Sequence, residues 1–290
     1  MTAPNVSQVP AVVRHDPAGP VIPLVCDSPH SGVAYPEDFR HVVPLASLRQ
    51  GEDTHVDALW LAAPAVGATL IAATFPRTYI DPNRDLADLD PDMLDGEWPD
   101  PLAPGVKTGL GKGLIWSRMD PQTPIYDRKL SVAEVRNRID QYYLPYHRAL
   151  EQAVKERYRQ FGALWHLNLH SMPNDAYERL GIQSNKPLAD FVLGDRDGLT
   201  CEPAFVDLIG RFLRDKGYTV ACNDPYKGVQ LIERIGKPAE NRHSLQVEIR
   251  RPLYMNEVTR EPNNGFVSLQ RDLSALLDVV AAYVKEKAGI

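Results

Sequence analysis

The sequence predicts an α/β fold built on a largely parallel sheet. Short runs of apolar, often β-branched residues are bounded by turn formers, as in strands buried on both faces. Longer amphipathic segments separate these runs. Strands and helices that alternate in this way pack as layers around a parallel sheet.

The elements follow in chain order. Val9 to Pro23 is punctuated by prolines and reads as a loop. Ile22 to Cys26 is the first apolar run and the first strand. Asp53 and Thr54 are residue types that open helices, so a helix is expected from Asp53 to Ala63. Thr69 to Thr74 is the next strand. Ala58 to Pro76 carries no charge and approaches the length of a membrane span, but Pro64, Gly67, Thr69 and Thr74 interrupt it, so no membrane segment is expected. Pro76 to Pro82, Asp90 to Pro104 and Pro121 to Pro124 are proline clusters within a long stretch, 76–130, poor in periodic pattern. A stretch like that inside a compact domain is usually functional. Val132 to Phe161 is amphipathic, and Pro145 predicts a kink or a break in it. Leu164 to Leu169, Phe191 to Leu193, Thr219 to Cys222 and Leu245 to Ile249 are further strands. Glu202 to Lys216 and Ser268 to Lys287 are the remaining helices.

All 290 residues are expected to form a single domain (1–290), long enough to bury a core without disulfides or a partner. The formal charge of −6 supplies no basic excess, which argues against nucleic acid as a partner. Cys26, Cys201 and Cys222 match neither a disulfide framework nor a cysteine zinc site and suit a reducing compartment. The first residues lack a basic segment followed by an apolar core, so no signal peptide is expected and the reading is a cytoplasmic protein.

Two strands run into a His-Ser pair, in Asp27-Ser28-Pro29-His30-Ser31-Gly32 and in Leu169-His170-Ser171-Met172-Pro173. Ligands of open α/β sheets bind beyond the carboxyl ends of strands. A lone loop histidine is more often a surface group, but two at equivalent strand ends suit a metal pair. A zinc hydrolase needs a third ligand, usually a carboxylate, and an open position. Glu52, Asp53, His55 and Asp57 all lie in one segment and spacing does not choose among them. Glu248 sits inside an apolar run, where it is either a general base or the partner of an arginine such as Arg250 or Arg251. Arg77, Asp81, Asn83 and Arg84 crowd into eight residues, a composition that suits carboxylate binding or an Arg-Asp loop network. Gly109-Leu110-Gly111-Lys112-Gly113 lacks the spacing of a phosphate loop and reads as a flexible connection. Lys227 lies in a turn and could face an anion. No serine sits in a G-x-S-x-G elbow.

In chain order, SPHSG (28–32), Asp53-x-His55, RTYIDPNR (77–84), TGLGKGLIWSR (108–118), YYLPYH (142–147), LHSMP (169–173), YKG (226–228), QVEI (246–249) and LYM (253–255) resemble the N-formylglutamate amidohydrolase family. The resemblance implies a three-layer α/β/α fold with a mixed, largely parallel sheet, similar to the zinc carboxypeptidases. It implies one zinc ion held by His30, Asp53 and His170, with Glu248 as general acid and base and Arg77 polarising the scissile carbonyl. Asn83 and Arg84 would hold one substrate carboxylate, and Lys227 or Arg118 the other. The implied reaction releases formate from N-formyl-L-glutamate, a small-molecule substrate with carboxylates, in histidine breakdown. Two alternatives stay open at this point: hydrolysis of another N-acyl amino acid or a short peptide, and an inactive relative that binds an amino acid.

Overall fold

The computed structural model describes residues 9–290; the first part of the stretch read for a signal peptide, 1–8, lies outside them. The main sheet has seven strands: β1 (Val12–His15), β2 (Leu24–Ser28), β3 (Thr69–Ala73), β4 (Leu164–Met172), β5 (Phe191–Gly194), β6 (Val220–Cys222) and β7 (Arg242–Arg250). Their order is β1-β3-β2-β4-β7-β5-β6. The central strands β3, β2, β4 and β7 are parallel, β1 joins antiparallel at one edge, and β5 runs antiparallel to β7 with β6 parallel to it. The sheet is therefore mixed and largely parallel.

Helices cover both faces, giving the three layers expected. On one face Leu24, Cys26, Leu167, Leu169, Leu245, Val247 and Ile249 pack against α3 (Pro203–Asp215) and α5 (Phe266–Ala288). On the other, Val25, Ile71 and Leu164 pack against α1 (Val132–Arg138), α2 (Leu144–Phe161) and α4 (Gln230–Ile235). Each face collects every second residue of a strand. In β4 and β7 the second face is polar instead of apolar: His166, Asn168 and His170 stand beside Ser244, Gln246 and Glu248, all buried.

Three sequence expectations change. Val12–His15, read as loop, is an edge strand. The helix expected from Asp53 to Ala63 is only a turn, Val56–Leu59, because His55 takes a left-handed conformation (φ 69°) and ends any helix that Asp53 could start. His170 does not follow its strand but lies within it, since β4 runs on to Met172. The break expected near Pro145 takes the form of a π-helical turn, Ile139–Tyr143, joining α1 to α2. Pro145 has no N–H for the carbonyl four residues back and crowds it, and a wider turn accommodates both. The stretch 76–130 is closely packed: Leu89, Leu114, Ile115, Trp116, Ile125 and Leu130 are buried in the second core. All three cysteines are free thiols. No helix among the described residues is long and apolar enough to cross a membrane.

Candidate metal centre and active site

Two loops and one strand bring the expected ligands together. Ser28 ends β2, and His30 follows two residues later. The His30 carbonyl accepts the Asp53 N–H at 2.9 Å, which fixes the Asp53 loop against it. Gly32 is required beside them: a Cβ there would lie 2.3 Å from the Phe75 carbonyl oxygen. His170 reaches the same point from β4. His30 Nδ1 and His170 Nδ1 are 3.1 Å apart, Asp53 Oδ2 is 3.1 Å from His170 Nδ1, and it is 3.4 Å from His30 Nδ1. For a metal about 2.0–2.1 Å from each ligand in a tetrahedral site, ligand atoms stand roughly 3.3–3.4 Å from one another. The three atoms form such a triangle, and all three residues are buried.

The neighbours of these residues decide where the protons are. His30 Nε2 donates to Asp81 Oδ1 at 2.8 Å, and His170 Nε2 donates to Asn168 Oδ1 at 2.7 Å. Asn168 is oriented in turn, because its amide nitrogen donates to Asp27 Oδ1 at 2.8 Å. Asn83 Nδ2 also approaches His170 Nε2, at 3.2 Å, but the shorter contact to a true acceptor sets the tautomer. Both Nδ1 atoms are then lone pairs aimed at a carboxylate oxygen, three acceptors with no hydrogen among them. That donor set is repulsive alone and fits a cation. Outer partners that fix ring orientation in this way are usual around metal-binding histidines.

Asp53 Oδ1 accepts from Arg251 Nη2 at 3.0 Å. Burial pushes the Asp53 carboxyl up, but its close contacts with His170 and His30 and the charge of Arg251 hold it well below the usual range. Burial lowers the His170 pKa, against the pull of Asp53, and so favours the neutral ring a metal needs. Asp81 is likewise held low: burial raises it, and the charges of Arg77 and Arg84 with the bond from His30 outweigh that.

Glu248 stands beside His170 in the β4–β7 register, on the same face. Its Oε1 accepts from Gln246 Nε2 at 3.0 Å, and among the described residues its carboxylate has no ion pair. Burial, with the charge of Asp53, pushes it up to about 8 against the opposing charges of Arg77 and Arg251. Arg77 donates to Asp81 Oδ2 from Nε (3.1 Å) and Nη2 (2.8 Å), and its guanidinium lies 5.2 Å from the centre of the Trp116 ring. Both bonds converge on one carboxylate oxygen, and among the described residues Nη1 has no hydrogen bond.

A buried polar network lies beneath. Asp27 accepts from His166 Nε2 (2.8 Å), Asn168 and Tyr146, and His166 Nδ1 meets Ser244 Oγ at 2.7 Å. Burial raises the Asp27 carboxyl, but the bond and charge of His166, with the bonds from Tyr146 and Asn168, bring it below its ordinary value.

Residues 22–255 match the model of the N-formylglutamate amidohydrolase family. The chain belongs to this family. An N-formylglutamate deformylase of Pseudomonas putida is 29% identical over 246 residues, 81% of this chain and 83% of that protein. One from Pseudomonas aeruginosa is 27% identical over the same shares. The crystal structure of an N-formylglutamate amidohydrolase from Ralstonia eutropha JMP134 is 67% identical, with a TM-score of 0.95 over 97% of this chain and all of that one. A gene product of Agrobacterium tumefaciens, 17% identical at a TM-score of 0.59, shares the fold.

The other residues expected at the site in this family member fall in different places. Glu52 accepts from Tyr35 and Thr54, and His55 Nε2 meets the Arg260 carbonyl, so neither faces the triangle. Asn83 is turned inward: Leu231 N–H donates to its Oδ1, and its amide nitrogen abuts His170 at the centre. Lys227 Nζ is on the exposed side, paired with Asp197 at 2.8 Å. Arg118 has only a 3.4 Å contact to the Gly109 carbonyl and packs its stem against Gly111. Arg84 donates to the Lys112 and Asn83 carbonyls, and among the described residues its Nη2 has no hydrogen bond. Sequence reasoning passed over His166 and Asn168, although two-residue spacing puts both on the face of His170. It also passed over Tyr226, whose phenol is pushed upward by burial and then by the charge of Glu248, beside which it lies.

Proposed function

We propose that the protein hydrolyses the formamide of N-formyl-L-glutamate to formate and L-glutamate, using one divalent metal ion, zinc by preference, held by His30, Asp53 and His170. The observation that supports this most is the triangle of three converging lone pairs at 3.1–3.4 Å, in a chain whose relatives carry the name of this activity. When bound, such a metal supplies Lewis-acid polarisation of the formyl oxygen and an attacking water acidic enough to react near pH 7.

The chain's own groups do the rest. Glu248 accepts a proton as water attacks the formyl carbon and returns it to the departing nitrogen when the C–N bond breaks. Its raised affinity for a proton suits both halves of that shuttle. Arg77, fixed by Asp81, offers Nη1 to the negative oxygen that develops. Arg84 offers Nη2 to a substrate carboxylate. The same reading carries a cytoplasmic location and a role in histidine breakdown. Metal analysis of the purified protein, with turnover of N-formyl- and N-acetylglutamate by the zinc-loaded form, tests it. No formate release from N-formylglutamate by fully loaded protein would sink the proposal.

A further inference from the structure

The segment around Gly109–Gly113 was expected to be a flexible connection, yet it is stapled to the centre. Asp81 N–H donates to the Leu114 carbonyl at 2.7 Å, and Leu114 N–H to the Asp88 carbonyl at 2.7 Å. Arg84 Nε donates to the Lys112 carbonyl at 3.1 Å, and Lys112 N–H to the Lys107 carbonyl at 2.8 Å. Gly113 allows this closeness, since a Cβ there would meet the Asp88 carbonyl at 2.5 Å. The loop thus delivers two lysines to fixed positions beside Arg77 and Arg84. Lys112 Nζ lies 5.4 Å from the centre of the Trp116 ring that also carries Arg77.

Both lysines are half-buried, and among the described residues neither ammonium has a hydrogen bond or an ion pair. A lysine with a free choice keeps its head in water. The charges acting on Lys107 are all positive: after burial, the largest influence, come Arg84, Arg77 and Lys112, and together they push it down to about 8. Asp81 is shared by Arg77 and His30, and Asp88 is held by Gly105 N–H and Thr108. Asp88 also stands 4.0 Å from Arg84 Nε, and Asp120 acts on Lys112, so among the described residues four cations face three carboxylates, each of which is already engaged elsewhere.

We propose that Lys107 and Lys112, with the free Nη2 of Arg84, form a subsite for the side-chain carboxylate of an N-acylated dicarboxylic amino acid. This deepens the reading above and rests on it for the reacting formamide. Lys112 and Arg77 lie against the same Trp116 ring, so Arg77 and Trp116 stand between the subsite and the centre. In N-formylglutamate five bonds separate the formyl carbon from the side-chain carboxylate carbon. In this assignment Lys227 and Arg118 have no part in binding.

Lys107→Met and Lys112→Met keep the stem and remove the charge; Lys112→Arg keeps the charge. kcat and KM are measured for N-formylglutamate and for N-formylglutamine, its neutral isostere. Wild type should prefer the acid, and each methionine variant should raise KM for the acid by about tenfold or more, the worth of one charge-assisted bond. kcat and the kinetics of the amide should hold, and Lys112→Arg should keep most of the preference. Equal losses on both substrates, or an unmoved KM for the acid, would overturn the subsite. Equal turnover of acid and amide by wild type would instead remove the dicarboxylate from the proposed function. A readout that needs no turnover is calorimetric titration with glutarate. The double variant should bind it at least about tenfold more weakly than wild type. No glutarate binding by wild type, or unchanged binding by the double variant, overturns the subsite whatever the substrate proves to be. Both methionine variants should fold, because each removes a half-buried charge that has no partner.

Discussion

Asn168→Leu isolates how the network beneath the centre acts on the metal. Leucine keeps the branching and heavy-atom count of asparagine but removes the acceptor of His170 Nε2 and one donor to Asp27. His170 Nε2 is then left with Asn83 Nδ2, a donor, at 3.2 Å. The ring should respond by exchanging tautomers, with Nε2 accepting from Asn83 and Nδ1 carrying the proton toward Asp53 Oδ2 at 3.1 Å. That proton occupies the lone pair the metal needs. Restoring the binding tautomer leaves a buried N–H without a partner, at a cost of about 1–3 kcal/mol. Zinc affinity should therefore fall by about 10- to 100-fold, as is usual when an outer partner of a metal ligand is lost. The assay is competition with a chromophoric chelator near neutral pH, and imidazole nitrogen shifts report the tautomer directly. Unchanged zinc affinity in a folded variant, with His170 still protonated on Nε2, would refute the reasoning.

Glu248→Gln should lower kcat by about 10²–10⁴-fold with little change in KM or zinc content, and near-normal kcat would reduce Glu248 to a packing role. Asp27→Asn should cost about 3 kcal/mol at neutral pH in chemical denaturation, since three donors converge on that buried charge. The native Asp27 pKa lies below the unfolded value of about 3.9, so its contribution is present above that pH and lost as pH falls through the native pKa. The difference between wild type and variant should accordingly close below about pH 4, and a gap constant down to pH 2 would be the wrong sign. Gly32→Ala should cost about 3 kcal/mol or more, because its Cβ would press on backbone of Thr74 and Phe75, and an unaltered melting temperature would contradict the packing described.

Much of this was legible in the sequence because the signals were local. The runs at Thr69, Leu164 and Leu245 are rich in apolar residues, and they became strands within a few residues of their expected bounds. His30 and His170 were readable from their place near strand ends, and Asp53 only through resemblance, because composition also allowed Glu52 and His55. What stayed hidden depends on distant partners. The inward turn of Asn83 goes with its contacts to Leu231 and His170, and the left-handed His55, which delays the helical turn to Val56, is bonded through its ring to a carbonyl of Arg260. The loop at Gly109–Gly113 looked flexible because its glycines suggest freedom, whereas Gly113 is needed for close approach to the Asp88 carbonyl and Gly111 for a left-handed turn against Arg118. The polar alternation of His166, Asn168 and His170 was present in the letters, but the surrounding Leu and Trp masked its meaning as a second functional row.

The π-helical turn at Ile139–Tyr143 acts as a gear between two sets of teeth. Ahead of it Arg138 grips the Tyr79 carbonyl. At its last residue Tyr143 holds the Arg84 carbonyl; behind it Tyr146 reaches Asp27, and His147 holds the Pro82 carbonyl. The turn contributes an extra residue without advancing the helix by a full α step, so both sets mesh with the same loop. Asp140 and Gln141 are exposed, and exchanging their side chains leaves the meshing untouched. Removing either one would restore α-helical winding and turn everything behind it by about 100°. Tyr143 and His147 would then swing off the loop and Tyr146 off Asp27, so Arg84, Pro82 and Asp27 would lose these partners through a change of count alone, with no site residue altered.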